Sequence, residues 1–240
     1  IVVLEIDSWQ AQGFAYEKIS PNISVLTSFF EDHLNYYKGD MKIYAKDKLN
    51  LFVYQTKNDI AVIPANLKHI TFPRIASKII RVKPGTKIVS NKSLFLQASH
   101  NQLNITLAIT VAQNFGLTEK EIKNAINVFQ GLEGRLQEIE VLNGVRIIND
   151  NNASTPEATA RAIEALVPNN VYLICGGAHK NLQVTPLTKA LKKVTAVYIL
   201  PGKGSEKLIG ELMQSKQTYT TVKDIDEALK LILLKCISVQ

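Results

Sequence analysis

Cysteine is nearly absent from this chain: Cys175 and Cys236 are the only two in 240 residues, and both have apolar flanks. That excludes a disulfide framework and a thiolate metal cluster, and leaves two buried, reduced thiols. No stretch of about 18 apolar residues occurs, so a membrane-spanning helix is not expected. No charged start followed by an apolar run marks a leader, and the expected site of action is the cytoplasm. Basic residues are not interleaved with aromatics, so the net charge of +7, mostly lysine, reads as a solvated surface suited to anionic small substrates rather than nucleic acid. The phosphate-binding spacing G-x-x-x-x-G-K-[ST] is met nowhere, and neither internal repeats nor low-complexity segments occur.

What is present is 46% hydrophobic and 20% charged, enough for one large core or two modest ones. The first half alternates apolar runs with helical patterns, the signature of a parallel α/β sheet. Ile1–Ile6, Ile23–Thr27 and Ile60–Ile63 read as strands, and Met41–Tyr54 as a helix. Ile79–Val82, Lys87–Val89 and Ser93–Gln97, with Pro84-Gly85 between the first two, read as short antiparallel strands. A helix over Asn101–Phe115 stops at Gly116, and Thr118 with Glu121 predicts a capping box on the helix that ends near Phe129. The unbroken run Ile1-Val2-Val3-Leu4 suits a strand buried on both faces, so the chain reads as a piece of a longer protein.

Gln130-Gly131-Leu132-Glu133 is the expected junction between a domain over 1–131 and another over 132–240. Asn143-Gly144 predicts a hairpin between Leu136–Leu142 and Val145–Ile148. Strand Ile147-Ile148 then runs into a polar loop, Asn149 to Ser154. There Ser154 or Thr155 could cap a helix begun by Pro156, with Glu157 completing a box from Ser154. Strands over Val171–Cys175, Ala196–Leu200 and Tyr219–Val222 alternate with helices over Pro186–Lys193, Glu206–Met213 and Asp224–Ile237. That alternation predicts a doubly wound, Rossmann-like second domain.

Several polar groups stand where such sheets bind ligands, beyond the carboxyl ends of strands. Glu5 is placed to ligate a hard cation, or simply to cap or pair at a strand end. His33 follows the second strand and alone suits a surface or capping role. Lys48 lies fifteen residues on and, with Lys46, could equally be a solvated helix face. Asn101 opens a helix, as a capping asparagine does. Arg135 and Asp150 flank the hairpin, where a planar fork of donors and an acceptor outline a ligand site or could pair with each other. Gly176-Gly177 ends a strand, as tight turns and dinucleotide loops do.

Taken together these segments resemble the Mur ligases. The residues carrying the resemblance are Leu4-Glu5-Ile6-Asp7-Ser8-Trp9-Gln10, Asp32-His33-Leu34, Tyr44 to Leu49, His100 to Asn104, Gly134-Arg135-Leu136-Gln137, Asn149 to Pro156 and Gly176 to Lys180. Within that family they match the members that add D-glutamate to UDP-N-acetylmuramoyl-L-alanine in peptidoglycan precursor synthesis. The resemblance implies Mg²⁺ held by Glu5, His33 and a carbamylated Lys48, the three catalytic residues. It also implies ATP contacted by Asn101, Arg135 and Asp150, and amino-acid substrate contacted by Lys180, Asn152 and Ser154. ATP and Mg²⁺ are then the cofactors and a monomer is expected. A UDP-binding domain and P-loop would precede Ile1, the family's late Ser-Pro-Ala segment would follow Gln240, and the piece alone would be inactive. Asp7, Trp9, Gly134, Gln137, Asn151 and Asn152 depart from the family pattern. Alternatives are another Mur ligase or a folylpolyglutamate synthase, a non-catalytic nucleotide-binding scaffold, and, on Gly176-Gly177 alone, a dinucleotide-dependent oxidoreductase.

Overall fold

The computed structural model describes residues 1–33, 35–67, 70–85, 93–178 and 182–237. In chain order the elements are α1 (Gln10–Glu17), β1 (Ile23–Val25), α2 (Met41–Val53), β2 (Ile60–Pro64), β3 (Lys78–Val82), α3 (Leu94–Gln97), α4 (Gln102–Asn114) and α5 (Glu119–Val128), followed by β4 (Gln137–Leu142), β5 (Val145–Asn149), α6 (Pro156–Leu166), β6 (Tyr172–Cys175), α7 (Thr185–Leu191), β7 (Ala196–Ile199), α8 (Lys203–Gln214), β8 (Thr220–Thr221) and α9 (Ile225–Ile237). They fall into two compact units, one of residues 1–91 and 100–129, the other of residues 92–99 and 130–240. The short segment bearing α3 thus packs with the second unit although it precedes α4.

The first unit is built on the parallel sheet β1-β2-β3, with Ile23 facing Ile60 and Ile60 facing Lys78 in register. Central β2 is apolar at successive positions because both its faces are covered: Ala61, Val62 and Ile63 are fully buried. Ala61 and Ile63 pack with Leu49 and Phe52 of α2, whereas Val62 packs with Val82 and Leu107 of α4. The strands' amino ends are tied by a buried polar network. Asp59 accepts from Asn22 Nδ2 (3.0 Å) and from Thr56 N and Oγ1 (2.7 and 2.8 Å), while Gln55 Nε2 donates to Pro21 O, Ser24 Oγ and Ile60 O. Ser77 Oγ donates to Gln55 Oε1, bringing the start of β3 into the same network. The carboxyl ends are left for loops that can carry chemistry. Two helix starts follow their sequence signals: Asp40 accepts from Lys42 N and Ile43 N at α2, and Thr118 with Glu121 forms the capping box of α5.

The second unit opens with the β4/β5 hairpin, whose turn residues Asn143 and Gly144 both have positive φ (50° and 79°), as a tight two-residue turn requires. This ribbon forms its own sheet, and the parallel sheet β6-β7-β8 is separate. Helices cover both faces of the latter. Ala160 and Ile163 of α6, Leu187 and Leu191 of α7, and Leu208 and Leu212 of α8 pack with Val197 and Ile199 on one side, and Ala228 and Ile232 of α9 pack with Tyr198 on the other. No described helix is long and apolar enough to cross a membrane. Both cysteines are free thiols, and burial pushes Cys175 up to about 11.

The structure corrects four local expectations. Ile1–Ile6 is not a strand: Ile1 to Leu4 are exposed, and no described strand pairs with them, so the run has the composition of a buried strand without a ladder. β3 pairs parallel to β2 rather than antiparallel, since the connection from β2 returns β3 to the same direction. Ser93–Gln97 does not continue a sheet; Leu94–Gln97 is a helical turn that turns Leu94 toward Leu136 and Ile148. At α6 the cap is Thr155, whose Oγ1 accepts from Ala158 N, and not a box from Ser154, because Pro156 at the first position fixes the helix one residue later. The predicted strand at 87–89 lies outside the described residues.

Candidate active site

In the first unit the loop after β1 brings His33 back toward α2. His33 adopts a left-handed φ of 55°, held by its own N–H donating to Asp32 Oδ1 (2.8 Å), and its Nε2 lies 3.6 Å from Asp32 Oδ2. Its ring meets Trp9 edge-on with centroids 4.4 Å apart, and Tyr44 at 6.1 Å. Tyr44 and Lys48 are one helical turn apart on α2, and Lys48 Nζ sits 5.1 Å from the Tyr44 ring centroid. His33 and Lys48 therefore both lie beside one buried phenol ring. Phe29 and Tyr37 pack against that ring at 5.1 Å each, and Tyr37 is fixed by donating to Asp47 Oδ2 (3.0 Å).

Half-buried Lys48 forms no ion pair within 4.0 Å among the described residues, and burial pulls its pKa below the ordinary lysine value, opposed by the negative charges of Asp32 and Asp7. Such an amine is more often neutral, hence nucleophilic, than a surface lysine. Lys46 is exposed and is the solvated lysine of the pair. Glu5 is exposed, with no side-chain hydrogen bond or ion pair among the described residues, on the segment before α1. Among the described residues no three His, Cys, Asp or Glu side chains are grouped as a metal ion would need. A carboxylate formed on Lys48 would add the missing oxygen donor beside His33 and Asp32, and that donor set suits a hard cation. Asn101 is buried and does not cap α4; its Oδ1 accepts from Asn104 Nδ2 (3.1 Å).

In the second unit Arg135 and Asp150 stand together but do not form the ion pair that the hairpin could have housed. Asp150 Oδ1 accepts from Leu136 N (3.0 Å), and Arg135 Nη1 donates to Asn152 O (2.6 Å). The hairpin's ion pair is Arg146 with Glu138. Burial raises the Asp150 pKa, opposed by the Leu136 N–H and by the positive charge of Arg135. Ser154 is exposed at the end of the loop, and Lys180 lies outside the described residues. The glycines after β6 serve backbone contact: a Cβ on Gly176 would meet Leu200 Cβ at 2.7 Å, and one on Gly202 would meet Gly177 O at 2.6 Å. Gly204 N donates to Gly177 O (2.9 Å). Among the described residues the next helix after this glycine pair is α7, from Thr185.

Sequence reasoning gave no site role to Asp7, Trp9 and Tyr44, which the fold places around His33 and Lys48. The signal available was the i, i+4 spacing of Tyr44 and Lys48. Residues 1–83 match the Mur ligase middle domain. The D-glutamate ligases named UDP-N-acetylmuramoylalanine--D-glutamate ligase from Aquifex aeolicus and Geobacillus kaustophilus are 28% and 29% identical to it, each over 96% of this chain and over 57% and 54% of the relative. The chain is thus similar to the Mur ligases. It spans about half the length of the curated relatives it matches. In fold it follows the MurF ligase of Thermotoga maritima solved with ADP, with a TM-score of 0.64 at 17% identity over 94% of this chain and 64% of that one. A bifunctional folylpolyglutamate synthase/dihydrofolate synthase from Yersinia pestis, solved with AMPPNP and a Mn ion, gives 0.62 at 15% over 90% and 56%. The expected α/β organisation with parallel sheets is thus borne out.

Proposed function

We propose that this chain is part of an ATP-dependent ligase that joins D-glutamate to UDP-N-acetylmuramoyl-L-alanine. In that reaction the γ-phosphate of ATP passes to the substrate carboxylate, and the amine of D-glutamate then displaces phosphate from the acyl phosphate to leave an amide. The observation that carries the reading is the half-buried, pKa-lowered Lys48 meeting His33 on the Tyr44 ring. A neutral amine at that place can take up CO₂ and become a carboxylate on a long stem, whereas an ammonium could not ligate a cation. Glu5, His33 and the modified Lys48 would hold Mg²⁺, whose chemistry is to neutralise charge on the phosphoryl group in transfer. Arg135 and Asp150, with Asn101, would contact the nucleotide; Lys180 and the loop bearing Asn152 and Ser154 would receive the amino acid. The names of the relatives support D-glutamate as the nucleophile. The test is ATP-dependent phosphate release by the complete protein. Release is expected only with both UDP-N-acetylmuramoyl-L-alanine and D-glutamate present. Equal turnover with L-lysine or meso-diaminopimelate would overturn the substrate assignment, and turnover by this 240-residue chain alone would overturn its being only part of the machinery.

A further inference from the structure

Arg135 is exposed, and an exposed arginine ordinarily samples many rotamers. Here it is held. The turn from Glu133 to Gln137 places Gly134 and Leu136 at positive φ (67° and 44°), with Gly134 N donating to Gln137 Oε1 (3.0 Å) and Leu136 N to Asp150 Oδ1 (3.0 Å). Asn152 folds back over this turn and spends nearly all its polar groups on it. Its N–H donates to Gly134 O (3.1 Å), its Nδ2 donates to Glu133 O (3.0 Å), and its carbonyl accepts from Arg135 Nη1 (2.6 Å) and Ser154 N (2.9 Å). The fit depends on a missing side chain: a Cβ on Gly134 would stand 2.2 Å from Asn151 Oδ1 and 2.6 Å from Asn152 Nδ2. The residues that depart from the family pattern on this turn and loop are therefore one contact set.

We propose that Asn152 is a positioning residue that aims Arg135, with Gly134 as the opening it requires. The guanidinium is anchored through Nη1 on the Asn152 main-chain carbonyl, which the Asn152 side chain holds in place through Nδ2 on Glu133 O, and the remaining guanidinium N–H groups are left to grip an anion as a fork. Fixing the side chain before the ligand arrives removes the ordering cost from binding. The inference rests on the reading of Arg135 as a nucleotide contact, and it gives Asn152 a task other than touching substrate.

The experiment compares the ATP KM and kcat of the complete protein with Arg135→Ala, Asn152→Ala and the double variant. Arg135→Ala is expected to raise the ATP KM about tenfold or more. Asn152→Ala should raise it about threefold, and the double variant should be no worse than Arg135→Ala. Effects that multiply in the double variant would overturn the proposal, since Asn152 would then act independently of Arg135. The side-chain ¹⁵N resonance of Arg135, assigned with Arg135→Lys, is read in parallel. If Arg135→Ala leaves the ATP KM unchanged, the nucleotide reading falls. In that case broadening of the resonance in Asn152→Ala still supports the hold, and an unaltered resonance overturns it. Gly134→Ala should broaden it as well.

Discussion

The two clusters treat a cation in opposite ways. Lys48 is placed among aromatic rings with its nearest carboxylates at a distance, so burial weakens its hold on a proton. Arg135 lies in the open, and backbone carbonyl geometry rather than burial fixes it. Lysine can exchange charge for reactivity because its proton is removable; arginine cannot, and is useful only as a fixed charge with fixed direction. The first arrangement suits covalent modification or ligation, and the second suits recognition.

The contrast breaks most sharply at Lys48. In the complete protein Lys48→Ala should lower ligase turnover by about a thousandfold, on the scale of losing a charge-stabilising group in phosphoryl transfer; activity within tenfold of the parent would remove Lys48 from the chemistry. The same site makes a pH prediction. A lysine whose folded pKa is lowered carries the cost of a buried ammonium below that value, and the cost fades as pH rises toward the ordinary lysine range. Stability should therefore rise with pH across that window, and Lys48→Met should raise Tm at neutral pH by a margin that shrinks in alkali. A constant margin would show that the gain comes from packing alone.

At the opposite end of the first sheet, Asp59→Ala should cost about 2–3 kcal/mol in denaturant unfolding, because it leaves Asn22 and Thr56 donors unpaired. The hydrogen bonds to Asp59 lower its pKa, so their contribution is present above the unfolded value and is lost as pH falls through the folded one. In the second unit Arg135→Lys keeps the charge and loses the fork. It should weaken nucleotide affinity by about 1–2 kcal/mol in a titration with a fluorescent ATP analogue. Full affinity would mean that charge alone suffices there. The smallest effect belongs to the cap of α5, where Thr118→Ala should cost about 1 kcal/mol in thermal unfolding.

Most elements were legible from local signals: the alternation of strand and helix, Asn143-Gly144, Thr118 with Glu121, and Pro156 each state what the chain does nearby. Ile1–Leu4 misled because burial is a property of neighbours, and apolar composition says nothing about whether a partner strand is there. The direction of β3 was hidden for the same reason: pairing is decided by the connection, not by the strand. At the site, the motifs named His33 and Lys48, and only the fold showed that Tyr44 joins them. Trp9 and Asp7 looked like departures from a pattern and turned out to border the cluster. Gly134, Asn151 and Asn152 looked like three separate losses, and contact distances make them one arrangement.

The glycine contact beneath the strand ends of the second unit has an evolutionary consequence. Gly177 O is gripped by Gly204 N, and Gly202 lies against it with no side chain on either partner. Two loops are thus joined main chain to main chain, so the frame does not depend on the identity of the residues displayed from it. Side chains flanking the joined glycines can vary in size, charge and hydrogen-bonding character while this main-chain anchor stays put. A lineage could change the residues around this junction without first surrendering a folded intermediate.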